Sequence, residues 1–296
     1  MKQANGEIKS KIMLIASVFI FGTVGIFRRY IPLPSGSIAL VRGVIGALFL
    51  LMILAIKKQK LSLGDIRRNL LFLCISGVFI GFNWILLFEA YVYTTVATAT
   101  LCYYMAPIFV IILSPILLKE RITLKKGICV AVALFGMVLV SGVIQGGLGG
   151  VADFKGILLG LGAAVLYAGV MLLNQKIKDI SAYDKTIVQL AAATVVLIPY
   201  IILAEDISAA EITAKVIVFM LIVGIVNTGV AYLFYFGSME NLSGQTVALF
   251  SYIDPIVAII LSALFLKEKM GVPEIIGAVL VLGATIVSEL PEKQIK

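Results

Sequence analysis

Residues 101–120 read LCYYMAPIFVIILSPILLKE, and residues 249–268 read LFSYIDPIVAIILSALFLKE. At this offset of 148, eleven of the twenty positions are identical. They include Tyr104 and Tyr252, Pro107 and Pro255, and the closing Lys119-Glu120 and Lys267-Glu268. The same shift carries Gly81 onto Gly229, Trp84 onto Tyr232 and Thr98 onto Thr246 without a gap. Since 148 is half of 296, the chain reads as one unit written twice, over residues 1–148 and 149–296.

Around the repeat the composition is 61% hydrophobic and 14% charged, with a mean hydropathy of +1.11. Soluble domains are about half apolar and about a quarter charged, so this chain falls on the membrane side. A net charge of +8 could suit nucleic acid. Here, however, Lys and Arg stand between apolar runs and not along one helical face, which is the pattern of a membrane protein with basic loops on one side. The absence of histidine removes the commonest general base and metal ligand. Cys74, Cys102 and Cys129 lie inside apolar runs without metal-ligand spacing and read as small buried residues. With no P-loop, no Gly-x-Ser-x-Gly, no His-Glu-x-x-His and no Cys-x-x-Cys, no metal or cofactor is expected and ATP-driven pumping is disfavoured.

A spanning helix needs about 20 apolar residues. Ten segments meet that length, approximately 11–30, 37–56, 69–89, 96–118, 124–143, 156–174, 186–204, 215–236, 245–266 and 273–289. Segment one follows Lys9 and Lys11, but no Ala-x-Ala-like cleavage site comes after it, so it reads as a retained helix. With the N-terminus inside, seventeen Lys and Arg lie on inner segments and six on outer ones, which predicts both termini in the cytoplasm. Each copy holds five spans. Because five is odd, the second copy enters the membrane from the opposite side, giving inverted repeats joined through the glycine-rich stretch 142–156. The expected fold is an all-α integral membrane protein of ten transmembrane helices in two inverted five-helix repeats.

Pro107 and Pro255 lie about ten residues into segments four and nine. A proline there removes a backbone hydrogen bond, and in a membrane the freed carbonyl needs a partner from neighbouring protein or a wet cavity. Both are expected to kink their helices and to line such a cavity. Asp254, beside Pro255, is the sharpest single residue. A carboxylate at mid-membrane costs about 2.5–3.5 kcal/mol on insertion scales, so it implies a protonated acid, a watery cavity, a cationic substrate or a salt bridge. Proton coupling at Asp254 is one of these expectations. Arg42 and Glu89 are the other charges within spans, with three readings: a mutual ion pair, a substrate carboxylate on Arg42, or snorkelling to the interface. Asn83 and Trp84 in segment three, Tyr167 and Asn174 in segment six, and Asn227, Tyr232 and Tyr235 in segment eight put polar atoms into apolar helices, suggesting a shared polar-aromatic cavity. Gly77-x-x-x-Gly81 and Gly156-x-x-x-Gly160 permit close helix approach, and a homodimer is one use of such stripes.

Taken together, Tyr104-Met-Ala-Pro107 to Leu118-Lys-Glu120 and Tyr252-Ile-Asp-Pro255 to Leu266-Lys-Glu268 resemble the drug/metabolite transporter superfamily, EamA type. The family has a proline in the fourth helix of each repeat and a glutamate about thirteen residues on, and Arg42 resembles a frequent arginine of its second helix. The resemblance covers nearly the whole chain. It implies a central cavity from segments one, three, four, six, eight and nine, into which Asn83, Trp84, Tyr104, Tyr167, Asn227, Tyr232, Tyr252 and Asp254 would fall. It also implies helix-end roles in structure or gating for Glu120 and Glu268. Phe21-Gly22 departs from the Trp-Gly that many members carry in the first helix.

The function expected from the sequence is a secondary transporter of the cytoplasmic membrane. It would export a small polar or amphipathic metabolite, such as an amino acid or amine, by alternating access, with the substrate and the bilayer as partners and no nucleic acid. The rival is an integral membrane enzyme acting on a lipid or metabolite, for which only carboxylates, Lys or Tyr remain as catalytic groups.

Overall fold

The computed structural model describes residues 2–117, 123–140, 151–174, 176–205, 212–238, 242, 250–251 and 253–290. Every regular element among them is a helix. In chain order these are α1 (Lys2–Gly22), α2 (Val24–Arg29), α3 (Ser35–Ile56), α4 (Leu63–Tyr93), α5 (Val96–Tyr103), α6 (Ala106–Leu117) and α7 (Leu124–Val140). They continue with α8 (Val151–Asn174), α9 (Ala182–Ala204), α10 (Ala214–Leu221), a π-helical stretch at Ile222–Val230 and α11 (Ala231–Ser238). The last are α12 (Ile253–Leu261), a second π-helical stretch at Ser262–Leu266 and α13 (Val272–Glu289). Seven stretches are long and apolar enough to cross a membrane: Glu7–Arg29, Ser35–Ile56, Leu63–Tyr93, Val96–Leu113, Asp153–Asn174, Tyr183–Ala204 and Ala214–Tyr235. Segments five, nine and ten of the sequence reading appear as the shorter α7, α12 with its π-helical end, and α13.

The packing keeps its pattern under the 148-residue shift. α1 packs on α11 and α12, and α8 packs on their counterparts α4 and the α5–α6 pair. α3 packs on the π-helical stretch before α11, and α9 packs on α4. Counterparts also meet directly, α3 with α9 and α7 with α13. Both of these pairs run antiparallel. Gly36 at the start of α3 meets Glu205 at the end of α9, while Lys57, just past α3, meets Tyr183 at the start of α9. Lys125 in the first turn of α7 donates to the carbonyl of Leu290, just past α13, at 2.6 Å. Ala133 and Val281, 148 residues apart, are both fully buried, one on each helix of the α7–α13 pair.

The glycine stripes are filled by this chain's own helices. A Cβ on Gly77 would stand 2.5 Å from the Gln189 carbonyl of α9, and one on Gly160 would stand 2.8 Å from Cys102 of α5. A glycine crossing also joins α7 and α13, where a Cβ on Gly277 would meet the Gly136 backbone carbonyl at 2.5 Å, an atom that cannot swing aside. Gly277→Ala is therefore expected to destabilise by about 1–3 kcal/mol, the usual cost of overpacking. Gly283→Ala, with nothing within 4 Å, should be neutral or stabilising. Thermal unfolding midpoints of the detergent-solubilised variants, moving apart in this sense, are the check.

Candidate functional site

Pro107 has no N–H for the carbonyl of Tyr103, four residues back. The chain responds by ending α5 at Tyr103 and opening α6 at Ala106, which leaves Tyr104 in the break. The helix is interrupted at Tyr104 and Met105. By the same chemistry Pro255 leaves the Ser251 carbonyl without a helical donor. The Tyr104 hydroxyl lies 3.3 Å from that carbonyl and donates to Asp254 Oδ2 at 2.5 Å. Two prolines at equivalent places thus build one polar crossing between the halves of the chain. Asp254 is half-buried, and α1 lies close enough that a Cβ on Gly22 would stand 2.8 Å from the Asp254 carbonyl.

A belt of rings surrounds the crossing. Tyr103 stacks on Tyr167 with centroids 5.2 Å apart and meets Tyr104 edge-on at 5.9 Å. Phe21 of α1 meets Tyr232 and Tyr235 edge-on at 5.4 and 5.9 Å. Tyr235 also hydrogen-bonds Ser251. Tyr103, Tyr104, Tyr167, Tyr232 and Tyr235 are all only half-buried.

Arg42 forms the other pole. Its guanidinium carbon lies 4.4 Å from the Trp84 ring centroid and 5.4 Å from that of Phe88, and its Nε donates to Thr228 Oγ1 at 3.1 Å. Thr228 is held in turn by a bond to the Val223 carbonyl at 2.9 Å, five residues back, which is the register of the π-helical stretch carrying both. The Arg42–Glu89 ion pair expected as one reading does not form: among the described residues the ion pairs are Lys11–Glu7 and Arg29–Glu268. The reason is angular. Trp84 and Phe88 share the α4 face that meets Arg42, and Glu89 lies five residues past Trp84, about 140° around the helix. Glu89 interacts electrostatically with the buried Arg28 instead.

The two asparagines are placed between helices. Asn83 is buried in α4 and donates to the Ala163 carbonyl of α8 at 2.6 Å. Asn227 is fully buried and donates to the Ile20 carbonyl and to Thr23 Oγ1, at 2.6 and 2.8 Å, tying the π-helical stretch to α1. Asn174 accepts from Gln189 Nε2 at 2.8 Å, in a network with Ser76 at the end of the bundle away from Arg29. Each of these amides bonds between helices, and Asn227 Oδ1 is left without a partner among the described residues. Tyr252 and Glu120 lie outside the described residues.

Glu268 sits at a helix end as expected, with a specific task. Its carboxylate accepts from the Val96 N–H at 2.9 and 3.1 Å and from the Ala97 N–H at 3.4 Å, satisfying the opening turn of α5. Arg29 closes the cluster, donating to the Thr94 carbonyl at 2.6 Å and pairing with Glu268 at 3.3 Å. Beside it Glu205 serves α3 in the same way, accepting from Gly36 N and Ser37 N at 2.6 and 2.8 Å. The sequence reading missed Glu205 and Thr228. Both carry a signal in hindsight: an acid seated just past one helix end, and a hydroxyl next to a buried amide.

Comparison with known proteins completes the picture. The sequence profile of the EamA-like transporter family matches residues 8–142 and again residues 154–289. The chain belongs to the EamA-like transporter family. Its relatives include the uncharacterized transporter YxxF of Bacillus subtilis (strain 168), 29% identical over 276 residues, covering 91% of this chain and 86% of that protein. Protein RarD of Escherichia coli (strain K12) is 25% identical over 272 residues, covering 90% of this chain and 88% of that protein. A solved crystal structure matches with a TM-score of 0.64 at 17% identity, over 94% of this chain and 96% of that one, a likeness of fold. The two stretches matched by the EamA profile fall on the two copies of the repeat, and with the apolar helices they make this a multi-pass membrane protein of a transporter family.

Proposed function

We propose that this EamA-like protein is a ten-helix secondary transporter that exports a small polar or amphipathic metabolite across the cytoplasmic membrane by alternating access. The observation that carries the reading is the crossing of Tyr104, Asp254 and the Ser251 carbonyl, where groups from both halves meet at a half-buried carboxylate in an apolar bundle. A carboxylate in an apolar span costs several kcal/mol, and such residues commonly mark ion or substrate paths.

The inverted-repeat reading is supported by the antiparallel counterparts α3–α9 and α7–α13. A two-fold axis along the membrane normal would leave counterparts parallel, whereas one in the membrane plane makes them antiparallel. Ten alternating crossings are supported by the end-to-end contacts. Arg29, Ser35, Thr94, Glu205 and Glu268 gather at one end, and Lys57, Asn69, Lys125, Lys178, Tyr183 and Leu290 lie at the other. The basic excess of the second group supports the reading that it faces the cytoplasm. Segment one packs on segments eight and nine, and segment six packs on segments three and four, so each of these groups mixes the two sequence halves.

Single cysteines at Phe21 and Ser251, in a chain with Cys74, Cys102 and Cys129 replaced by Ala, test the mechanism. A transporter exposes each position to membrane-impermeant reagent from either side, in proportions that shift when the transported metabolite is added. A fixed one-sided pattern at both positions would favour an enzyme or a static scaffold.

A further inference from the structure

Segments nine and ten are consecutive helices that part instead of packing. In the first copy their counterparts, α6 and α7, pack on one another. Among the described residues α12 and α13 show no packing of that kind, although only residues 267–271 link the end of segment nine to α13. Between them lies a groove of about 200 Å³. Ile256 and Ile260 line it from α12, Ile275, Val279 and Leu282 from α13, and Met270 from the link. All eight residues of its lining are apolar, so it offers nothing to a polar solute. Ile256, Ile260, Ile275 and Val279 are exposed, so the groove opens on the lipid side of the bundle.

Size and charge decide what fills it. From Ile275 to Leu282 the rise along α13 is about 10 Å, which lies within one leaflet of a hydrocarbon core about 30 Å thick. A helix from a second copy or another protein is about 10–12 Å across with its side chains and is too broad for this volume. A single hydrocarbon chain is not. The link at the top of the groove carries two cations. Lys267, in the left-handed region at φ 56°, turns the chain out of segment nine, and Lys269 adjoins Met270 of the lining. Both lysines are exposed, and neither has an ion pair among the described residues. The acids beside them do not answer them. Glu268 is taken by the Val96 and Ala97 N–H groups and by Arg29. Glu274 folds back against Gly271, with Oε2 sealed from solvent.

We infer that this groove is a phospholipid site, in which one acyl chain lies between α12 and α13 and an anionic headgroup takes Lys267 and Lys269. Each lysine near a membrane surface raises affinity for an anionic headgroup several-fold. The lipid lies against the segment that carries Asp254 at one end and Glu268 at the other, and braces it where α13 does not. The orientation proposed for the chain puts the site in the outer leaflet. Binding itself depends neither on that orientation nor on transport.

The test adds defined lipids back to the full chain in detergent and follows it by native mass spectrometry and thermal unfolding. Palmitoyl-oleoyl phosphatidylglycerol should be retained, and should raise the unfolding midpoint, at concentrations at least about tenfold below phosphatidylcholine with the same chains. Glycerophosphate, a headgroup without chains, should do neither. Lys267→Gln combined with Lys269→Gln should erase the preference. Lys267→Arg combined with Lys269→Arg keeps the charge and should keep the preference, which separates recognition from a folding defect. Val279→Trp fills the groove from an exposed position and should remove the most tightly held phosphatidylglycerol. Equal retention of the two lipids overturns the inference, as does a preference that survives loss of both lysines. So does a tightly held lipid that survives Val279→Trp, or a response to glycerophosphate equal to that of the lipid. A dimer that Val279→Trp dissociates would give the groove to a second copy and overturn it as well.

Discussion

Asp254→Asn is expected to slow efflux at least about tenfold and to flatten its dependence on pH. The cargo in this measurement is whichever metabolite accumulates in the medium of cells overproducing the protein, loaded into reconstituted vesicles. The magnitude is that of a charge-assisted hydrogen bond, about 1.5–3 kcal/mol. A second readout separates this from damage to the fold. Asn still offers an acceptor to the Tyr104 hydroxyl, and it removes an ionisable group from an apolar interior, so the thermal midpoint should hold or rise. Tyr104→Phe keeps the ring and loses one hydroxyl, and should slow efflux less, by about two- to tenfold. If Asp254→Asn keeps both the native rate and the native pH profile, Asp254 has no part in the mechanism.

The second large effect belongs to Glu268. Its carboxylate answers two backbone N–H groups at the start of α5 and pairs with Arg29, which is itself tied to Thr94. This one cluster joins segments one, three, four and nine at the end assigned to the outside. Glu268→Ala removes an anion from a helix N-terminus, worth about 0.5–2 kcal/mol in caps of this kind. The unfolding midpoint should fall, and a cysteine at Ser251 should label several-fold faster from outside. Glu268→Gln keeps an acceptor oxygen without the charge and should fall between the two. Native labelling in the Ala variant would make the cluster a passive tether.

Much of this site was legible in the chain. Pro107, Pro255 and Asp254 announce themselves because a missing N–H and a carboxylate are costly in hydrocarbon wherever the helices end up. Tyr167 and Tyr232 put aromatic groups into apolar helices, and the family resemblance adds Tyr104. In the structure Tyr103 meets both Tyr104 and Tyr167, and Phe21 meets Tyr232. Pairing was less legible. Arg42 and Glu89 looked like partners because they lie toward the same side, yet the angle between Trp84 and Glu89 on α4 decides otherwise. Asn83 and Asn227 looked like substrate groups because they are polar in apolar helices. A neighbouring carbonyl can take a buried amide's N–H, and the amide nitrogens of both donate there, while Asn227 Oδ1 has no partner among the described residues.

By itself the sequence determined the repeated unit, the apolar segments, the prolines that must break a helix and the positions where charge enters the membrane. Each is a local property, set by backbone chemistry and by the cost of leaving water. Only the tertiary structure decided which segments touch, that counterparts α3 and α9 pack directly on one another, and that Arg42 rests on Trp84 while Asp254 meets Tyr104. In a membrane the lipid-facing and core-facing sides of a helix are both apolar, so polarity does not mark the buried face. Side-chain shape and close glycine contacts make that choice, and they act only once the helices are side by side.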